Sequence, residues 1–156
     1  VRLRDASGET ASLALRVGAE RVCVAAVESR HEVRRVVQVG ERLPLHEGVC
    51  GEVLLSVLPP AELRSALQVA EALGADMPRL HAGVLAARRR GYSAAEGLRV
   101  PGVSAIAVPV HAEGVEQVAA LILAGPEQRF TMARMEEVAP AMVTAAAALS
   151  RSAHSW

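Results

Sequence analysis

The sequence predicts an α+β fold in which helices pack on the faces of an antiparallel sheet. Short strand-like segments cluster in two parts of the chain, within residues 10–39 and 103–124. Three helical segments lie between these clusters, and a long helical segment follows the second. Helices that are grouped between hairpins, instead of alternating singly with strands, favour an antiparallel sheet.

Composition excludes several classes of protein. The chain has 156 residues, 51% of them hydrophobic, which is typical of one domain with a real core. Its 17 basic and 17 acidic residues cancel, whereas a nucleic-acid surface needs clustered positive charge. No apolar run is long enough to span a bilayer, and the polar start does not resemble a signal peptide. Cys23 and Cys50 have no paired spacing, so we expect a cytoplasmic, reduced protein with both thiols buried.

The first part of the chain is predicted to form three strands. Apolar and polar residues alternate over residues 10–17, and residues 22–27 form a continuous apolar run. A third strand is predicted over residues 33–39, although two arginines interrupt its valines. Residues 1–9 are polar and are predicted to be a loosely packed lead-in.

Residues 40–55 are predicted to pass from a strand through a loop into a helix. Pro44 disfavours helix just before it, and apolar residues recur at helical spacing from Val49 onward. Gly48 and Gly51 flank this turn, where a side chain would hinder close approach. The first N–H groups of the helix have no intrahelical partner, so an anionic group could bind there. An ordinary strand-to-helix connection would explain the same pattern.

Two further helices are predicted before the second strand cluster. One covers about residues 61–73, with Pro60 in its first turn, and the next runs from an N-cap at Asp76 to Gly91. Residues 92–100 are interpreted as short extended pieces.

The last third of the chain is predicted to hold a hairpin and a long helix. The hairpin strands cover residues 103–110 and 117–124, with a turn at 112–114. The helix runs from an N-cap at Thr131 to about Ser152 and contains Pro140, which should kink it.

Three stretches, taken in order, resemble motifs of the IclR family of bacterial transcriptional regulators. The first is Gly40-x-Arg-Leu-Pro-Leu-His46 with Gly51. The second is Arg89-Arg-Gly-Tyr92 followed by residues 101–110, and the third covers residues 118–126. The resemblance spans roughly residues 8–152.

This resemblance implies a GAF-like sensor domain with a curved antiparallel sheet of about five or six strands and helices on its faces. It implies that residues 1–156 form a single effector-binding and oligomerisation domain that senses a ligand in transcription regulation. Family members bind DNA through an N-terminal winged helix-turn-helix, which this chain does not contain. We therefore expect a homo-oligomer, either dimer or tetramer, with no enzyme activity, cofactor, metal or membrane partner.

The resemblance also implies ligand-binding positions. Relatives that bind small oxoacids hold the carboxylate on the backbone amides that correspond to Val49 and Cys50. Their polar side chains, typically Asp, Cys, Ser and Ser, correspond here to Ala95 (or Glu96), Ala105, Ile122 and Ala124. Each lost hydrogen bond to a buried charged group forfeits roughly 1.5–3 kcal/mol. We therefore expect an effector with an apolar part, and neither glyoxylate nor pyruvate.

Alternatives remain at individual residues and for the function. His46 could touch the ligand, but a role in holding the turn through backbone bonds is favoured. Cys50 could be a redox sensor at a helix N-terminus, although burial as a small apolar residue is favoured. The alternative functions are a sensor-like domain that has no ligand and serves oligomerisation, and a small enzyme on a GAF-like fold. No catalytic motif supports the enzyme.

Overall fold

A single six-stranded antiparallel sheet organises the domain. The structure is a computed structural model that describes residues 1–111 and 114–152. The strand order is β3-β2-β1-β6-β5-β4, and every neighbouring pair is antiparallel. The strands are β1 (Thr10–Val17), β2 (Glu20–Val27), β3 (Arg42–Pro44), β4 (Ser93–Glu96), β5 (Val103–Val110) and β6 (Ala119–Pro126). The predicted α+β fold with an antiparallel sheet is confirmed.

Five helices complete the described part of the chain. They are α1 (Arg2–Ser7), α2 (Gly48–Ser56), α3 (Pro60–Ala72), α4 (Met77–Arg90) and α5 (Met132–Ser152). The predicted caps of α4 are confirmed: Asp76 accepts a hydrogen bond from the Arg79 amide at 3.2 Å, and Gly91 ends the helix at φ 80°. Thr131 caps α5 in the same way, through the Arg134 amide at 3.2 Å.

The helices cover both faces of the sheet and define two cores. Alternate residues of a strand point to opposite faces. Ala107 and Ala120 therefore pack with α2, α3 and α4 on one face, whereas Ile106 and Leu123 pack with α5 on the other. Ile106 and Leu123 are fully buried, as is Phe130 at the start of α5.

The predicted strand over residues 33–39 is wrong. Residues 28–41, which we call the strap, form no helix or strand, and Arg42–Pro44 pairs with β2 instead. Bonds from the body of the domain fix the middle of the strap: Thr10 donates to the Arg35 carbonyl at 2.5 Å and Arg129 to that of Val33 at 2.9 Å. The end of the strap does bond to β2, through backbone bonds that Gly40 and Glu41 make with Cys23. The valine pattern therefore reflects a segment that turns only Arg35 and Val37 toward the interior.

The first nine residues also differ from their prediction as a loose lead-in. Helix α1 forms there and ends at Gly8, which adopts φ 79°, a conformation that glycine permits without strain. Leu3 packs against the core below α5, and Arg134 donates to the Ala6 carbonyl at 3.0 Å. The predicted turn at 112–114 falls largely outside the described residues.

Candidate functional site

The entry to α2 is built by the close approach of two backbone segments. A Cβ atom at Gly51 would overlap the carbonyl oxygen of Leu45, so only glycine lets the loop fold back on the helix. Gly48 adopts φ 71°, which again favours glycine. Glu47 is the N-cap residue but makes no side-chain cap bond. The Glu47 side chain therefore does not occupy the first-turn amides of α2, which include those of Val49 and Cys50.

A cavity of about 100 Å³ lies beside these amides, between α2 and the sheet. Six of the seven predicted ligand-binding residues line it: Val49, Cys50, Ala95, Ala105, Ile122 and Ala124. They come from α2 and three strands, which the antiparallel registers place together: Ala105 lies opposite both Ala95 and Ala124. The structure therefore assembles the predicted positions around one space, although their role in ligand binding stays a prediction.

His46 lies outside that cavity. It lines an adjoining cleft toward α4, together with Glu47, Asp76 and Arg79; Gly48 and Arg99 line both the cleft and the cavity. The side chain is therefore placed apart from the other six predicted residues, and its role stays a prediction.

Three arginines that the sequence analysis missed also line the cavity. Arg21 comes from β2, Arg35 from the strap and Arg99 from the loop between β4 and β5. Arg21 is only 6% exposed; it donates to the Pro44 carbonyl at 3.1 Å and to that of Glu47, and burial lowers its pKa. Among residues 1–111 and 114–152, neither Arg35 nor Arg99 forms an ion pair.

A weak signal for these arginines was present in the sequence. Arg21 and Cys23 are two residues apart on β2, so both point to the cavity face. Arg35 and Val37 show the same spacing in the strap. Arg99 carried no comparable pattern, because only the folding of its loop over Gly48 brings it to the cavity.

The two cysteines are free and buried, as predicted. Both line the cavity, Cys50 from α2 and Cys23 from β2. Burial raises the pKa of Cys50 to about 11, and this effect outweighs the nearby Arg21, which opposes it. Burial also raises the pKa of Cys23. Since the thiolate is the reactive form, the structure disfavours the redox-sensor interpretation of Cys50.

A buried carboxylate on α2 joins this helix to β4. Glu52 is 9% exposed and accepts a hydrogen bond from the Ser93 hydroxyl at 2.7 Å. Gly83 of α4 lies so close that a Cβ atom there would overlap this carboxylate. Glu52 therefore fixes the positions of α2, α4 and β4 relative to one another.

Within residues 1–111 and 114–152, no cluster of three or more His, Cys, Asp or Glu side chains could hold a metal ion. Over the same ranges, no helix has the length and apolar character needed to cross a membrane.

Comparison with known proteins decides the family. Residues 1–151 match the family model described as the C-terminal part of the bacterial transcriptional regulator IclR. The chain belongs to the IclR family. This IclR domain is also 35% identical over 136 residues to the HTH-type transcriptional repressor AllR of Escherichia coli K12, and the Klebsiella pneumoniae AllR is 36% identical over the same length. These relatives are repressors, in agreement with the prediction that the chain is not an enzyme.

Solved structures support the same fold. An IclR-family regulator from a Rhodococcus species is 32% identical, with a TM-score of 0.80 over 96% of this chain and 59% of its own. The C-terminal domain of a Vibrio cholerae transcriptional regulator is 28% identical, with a TM-score of 0.79 over 95% of this chain and 90% of its own. The IclR domain spans about half the length of the curated AllR relatives, since the match covers 83% of this chain and 50% of each.

Proposed function

We propose that this IclR domain binds a small effector, with an anionic group and an apolar part, in the cavity between α2 and the sheet. The proposal rests on the chemistry of the residues that line that cavity. First-turn amides of α2 and three arginines supply positive potential, whereas Ala105, Ile122 and Ala124 supply an apolar wall. The arginines replace the polar side chains that these strands lack.

We propose further that effector binding regulates DNA binding. In the longer regulator, an N-terminal winged helix-turn-helix binds DNA, and occupancy of the cavity shifts the population of DNA-competent states. The strap is suited to transmit occupancy, because Arg35 and Val37 line the cavity while the exposed Val33, Val36 and Val39 lie on its outer side. These exposed valines also support self-association into a dimer or tetramer.

Thermal unfolding with a panel of metabolites tests effector binding. A ligand at 100 times its dissociation constant stabilises the folded state by about 2.7 kcal/mol, a shift of about 5–10 °C for a domain of this size. The panel should include monocarboxylates, dicarboxylates and aromatic acids at equal ionic strength. A panel that stabilises nothing would contradict effector binding and favour the ligand-free oligomerisation domain.

A cavity-filling variant makes this test specific. Ala105→Leu places a larger side chain in the cavity and should abolish the ligand-dependent shift. Ala72→Leu adds the same atoms at the exposed end of α3 and should leave the shift unchanged. Light scattering on the same samples, with and without ligand, measures the oligomeric state.

A further inference from the structure

We infer that the effector is a small organic dianion, with two anionic groups separated by a short apolar spacer. The inference rests on the proposed function and names its ligand class. One anionic group binds at the α2 entry beside Arg99, and the other binds at Arg35 on the strap.

The first end of the cavity combines helix amides with positive side chains. Arg99 packs on Gly48: its Cβ and Cδ atoms lie 3.4 and 3.5 Å from where a Cβ of Gly48 would stand. The Nη2 atom of Arg21 lies 3.8 Å from the same point. Arg21 uses its Nη1 atom for the carbonyls of Pro44 and Glu47, and the charges of Glu47 and Glu41 act on it, so Arg99 is the guanidinium at this end without a carboxylate partner in the described residues. An anionic group at this end would meet the α2 dipole and Arg99 together.

The second end is set by the register of β1. The Thr10 hydroxyl donates to the Arg35 carbonyl at 2.5 Å, and Thr10 lies opposite Ala124. At the other end of β1, Arg16 lies opposite Arg21. Thr10 and Arg16 are six residues apart, or about 20 Å of strand. The Arg35 backbone therefore lies toward the end of β1 remote from Arg21, and its side chain reaches into the cavity that Arg21 also lines.

Apart from the three arginines and Glu41, no charged side chain of the described residues lines the cavity. Ala14, Ala105 and Ile122 line it, with the buried hydroxyl of Ser12 among them. This composition suits a spacer of a few carbon atoms. A charged or strongly hydrated spacer would lose its water there without gaining partners.

The charge balance of the lining favours two negative charges on the ligand. Glu41 is the only carboxylate in the described lining. Its backbone carbonyl accepts from the Cys23 amide, which places it near β2, where its charge acts on Arg21. Arg35 and Arg99 are thus left as two cations without a carboxylate partner in the described residues.

Isothermal titration calorimetry of the chain with matched acids tests the inference. Succinate is compared with butyrate, and glutarate with valerate, at fixed pH and ionic strength; pyruvate serves as a further monocarboxylate. Because a hydrogen bond to a charged group contributes roughly 1.5–3 kcal/mol, we expect each dicarboxylate to bind about tenfold or more tightly than its monocarboxylate. Equal affinity within both pairs, or tighter binding of pyruvate, overturns the inference.

Two adjacent arginines give a matched pair of variants. Arg35→Gln should remove the dicarboxylate preference, so that succinate and butyrate bind with about equal affinity. The fold should be kept, since Thr10 bonds the backbone of residue 35 and not its side chain. Arg34→Gln is the control, because Arg34 pairs with Glu28 at 3.0 Å outside the cavity. A dicarboxylate preference that survives Arg35→Gln overturns the inference.

The outcomes separate the inference from the proposed function. Equal binding of mono- and dicarboxylates ends the dianion inference and leaves effector binding in place. If no acid of either pair binds, the inference fails alone when the compounds of the metabolite panel that stabilise the domain carry fewer than two anionic groups. It fails together with the proposed function when no compound of the panel stabilises the domain.

Discussion

The Arg129 guanidinium forms two hydrogen bonds with the carboxylate of Glu9, of 2.6 and 2.9 Å, although only Glu9 is fully buried. Glu9 is 1% exposed, whereas the Arg129 side chain is 34% exposed. Arg129 also donates to the Val33 carbonyl. One side chain therefore ties together the start of β1, the segment after β6, and the strap over the cavity.

Replacing Arg129 should destabilise the domain strongly. Arg129→Met leaves the buried Glu9 carboxylate without its partner, which costs about 3 kcal/mol. Urea-induced unfolding at neutral pH measures this loss. Arg42→Met is the control, because Arg42 pairs with Glu20 at 3.6 Å on the surface and should change stability by less than about 1 kcal/mol. Equal effects of the two substitutions would contradict the structural role of Arg129.

Removing the Ser93 hydroxyl should also weaken the fold. Ser93→Ala leaves the buried Glu52 carboxylate without its 2.7 Å donor, at a cost of about 1–3 kcal/mol. Ser65→Ala, at an exposed position of α3, should stay within about 0.5 kcal/mol of the parent chain. If Ser93→Ala were as stable as the Ser65→Ala control, the hydrogen bond from Ser93 to Glu52 would not stabilise the folded domain.

Gly51→Ala should destabilise the domain even though alanine is the better helix former. At an exposed position inside a helix, replacing glycine by alanine would raise the free energy of unfolding by roughly 1 kcal/mol. Here the added Cβ overlaps the Leu45 carbonyl, so the α2 entry must shift and we expect a loss of about 1–3 kcal/mol.

Gly18→Ala is the comparison for Gly51→Ala. A Cβ at Gly18 meets open space, so only its φ of 62° adds strain, about 1–2 kcal/mol. Ligand-dependent stabilisation should fall in Gly51→Ala alone, because that substitution moves the Val49 and Cys50 amides. Retained ligand response in Gly51→Ala would argue against binding at this helix entry.

Stability should fall at alkaline pH because of Cys50. Its pKa rises from an ordinary 9.0 to about 11 on folding, so the unfolded chain releases the thiol proton first. The contribution is complete below pH 9 and is lost as the pH rises toward 11. At pH 10.5 the loss is about 2 kcal/mol relative to pH 8.

Cys50→Ala isolates that contribution from other alkaline titrations. The difference in unfolding free energy between the parent and Cys50→Ala should shrink by this amount between pH 8 and pH 10.5. A difference that stays constant across this range would mean that the buried thiol does not titrate as described.

Sequence alone determined most of the layer architecture. The two hairpins, helices α2 to α5 and the caps at Asp76, Gly91 and Thr131 follow from local periodicity and backbone preferences. These patterns depend on neighbouring residues, so they predict helices and strands without knowledge of the rest of the chain. The turn into α2 at Gly48 and Gly51 was also predictable: a side chain at Gly51 would obstruct the Leu45 backbone, and Gly48 adopts φ 71°.

Only the tertiary structure decided how the strap runs and which charges reach the cavity. Residues 33–39 have the composition of a strand, yet hydrogen bonds from Thr10 and Arg129 hold them over the sheet. Arg21, Arg35 and Arg99 are 14 and 64 positions apart along the sequence, and only the fold brings them to one space. The composition of a segment is a local property of the sequence. Whether that segment pairs with a strand, and which charged side chains come close together, depends on residues far away in the sequence.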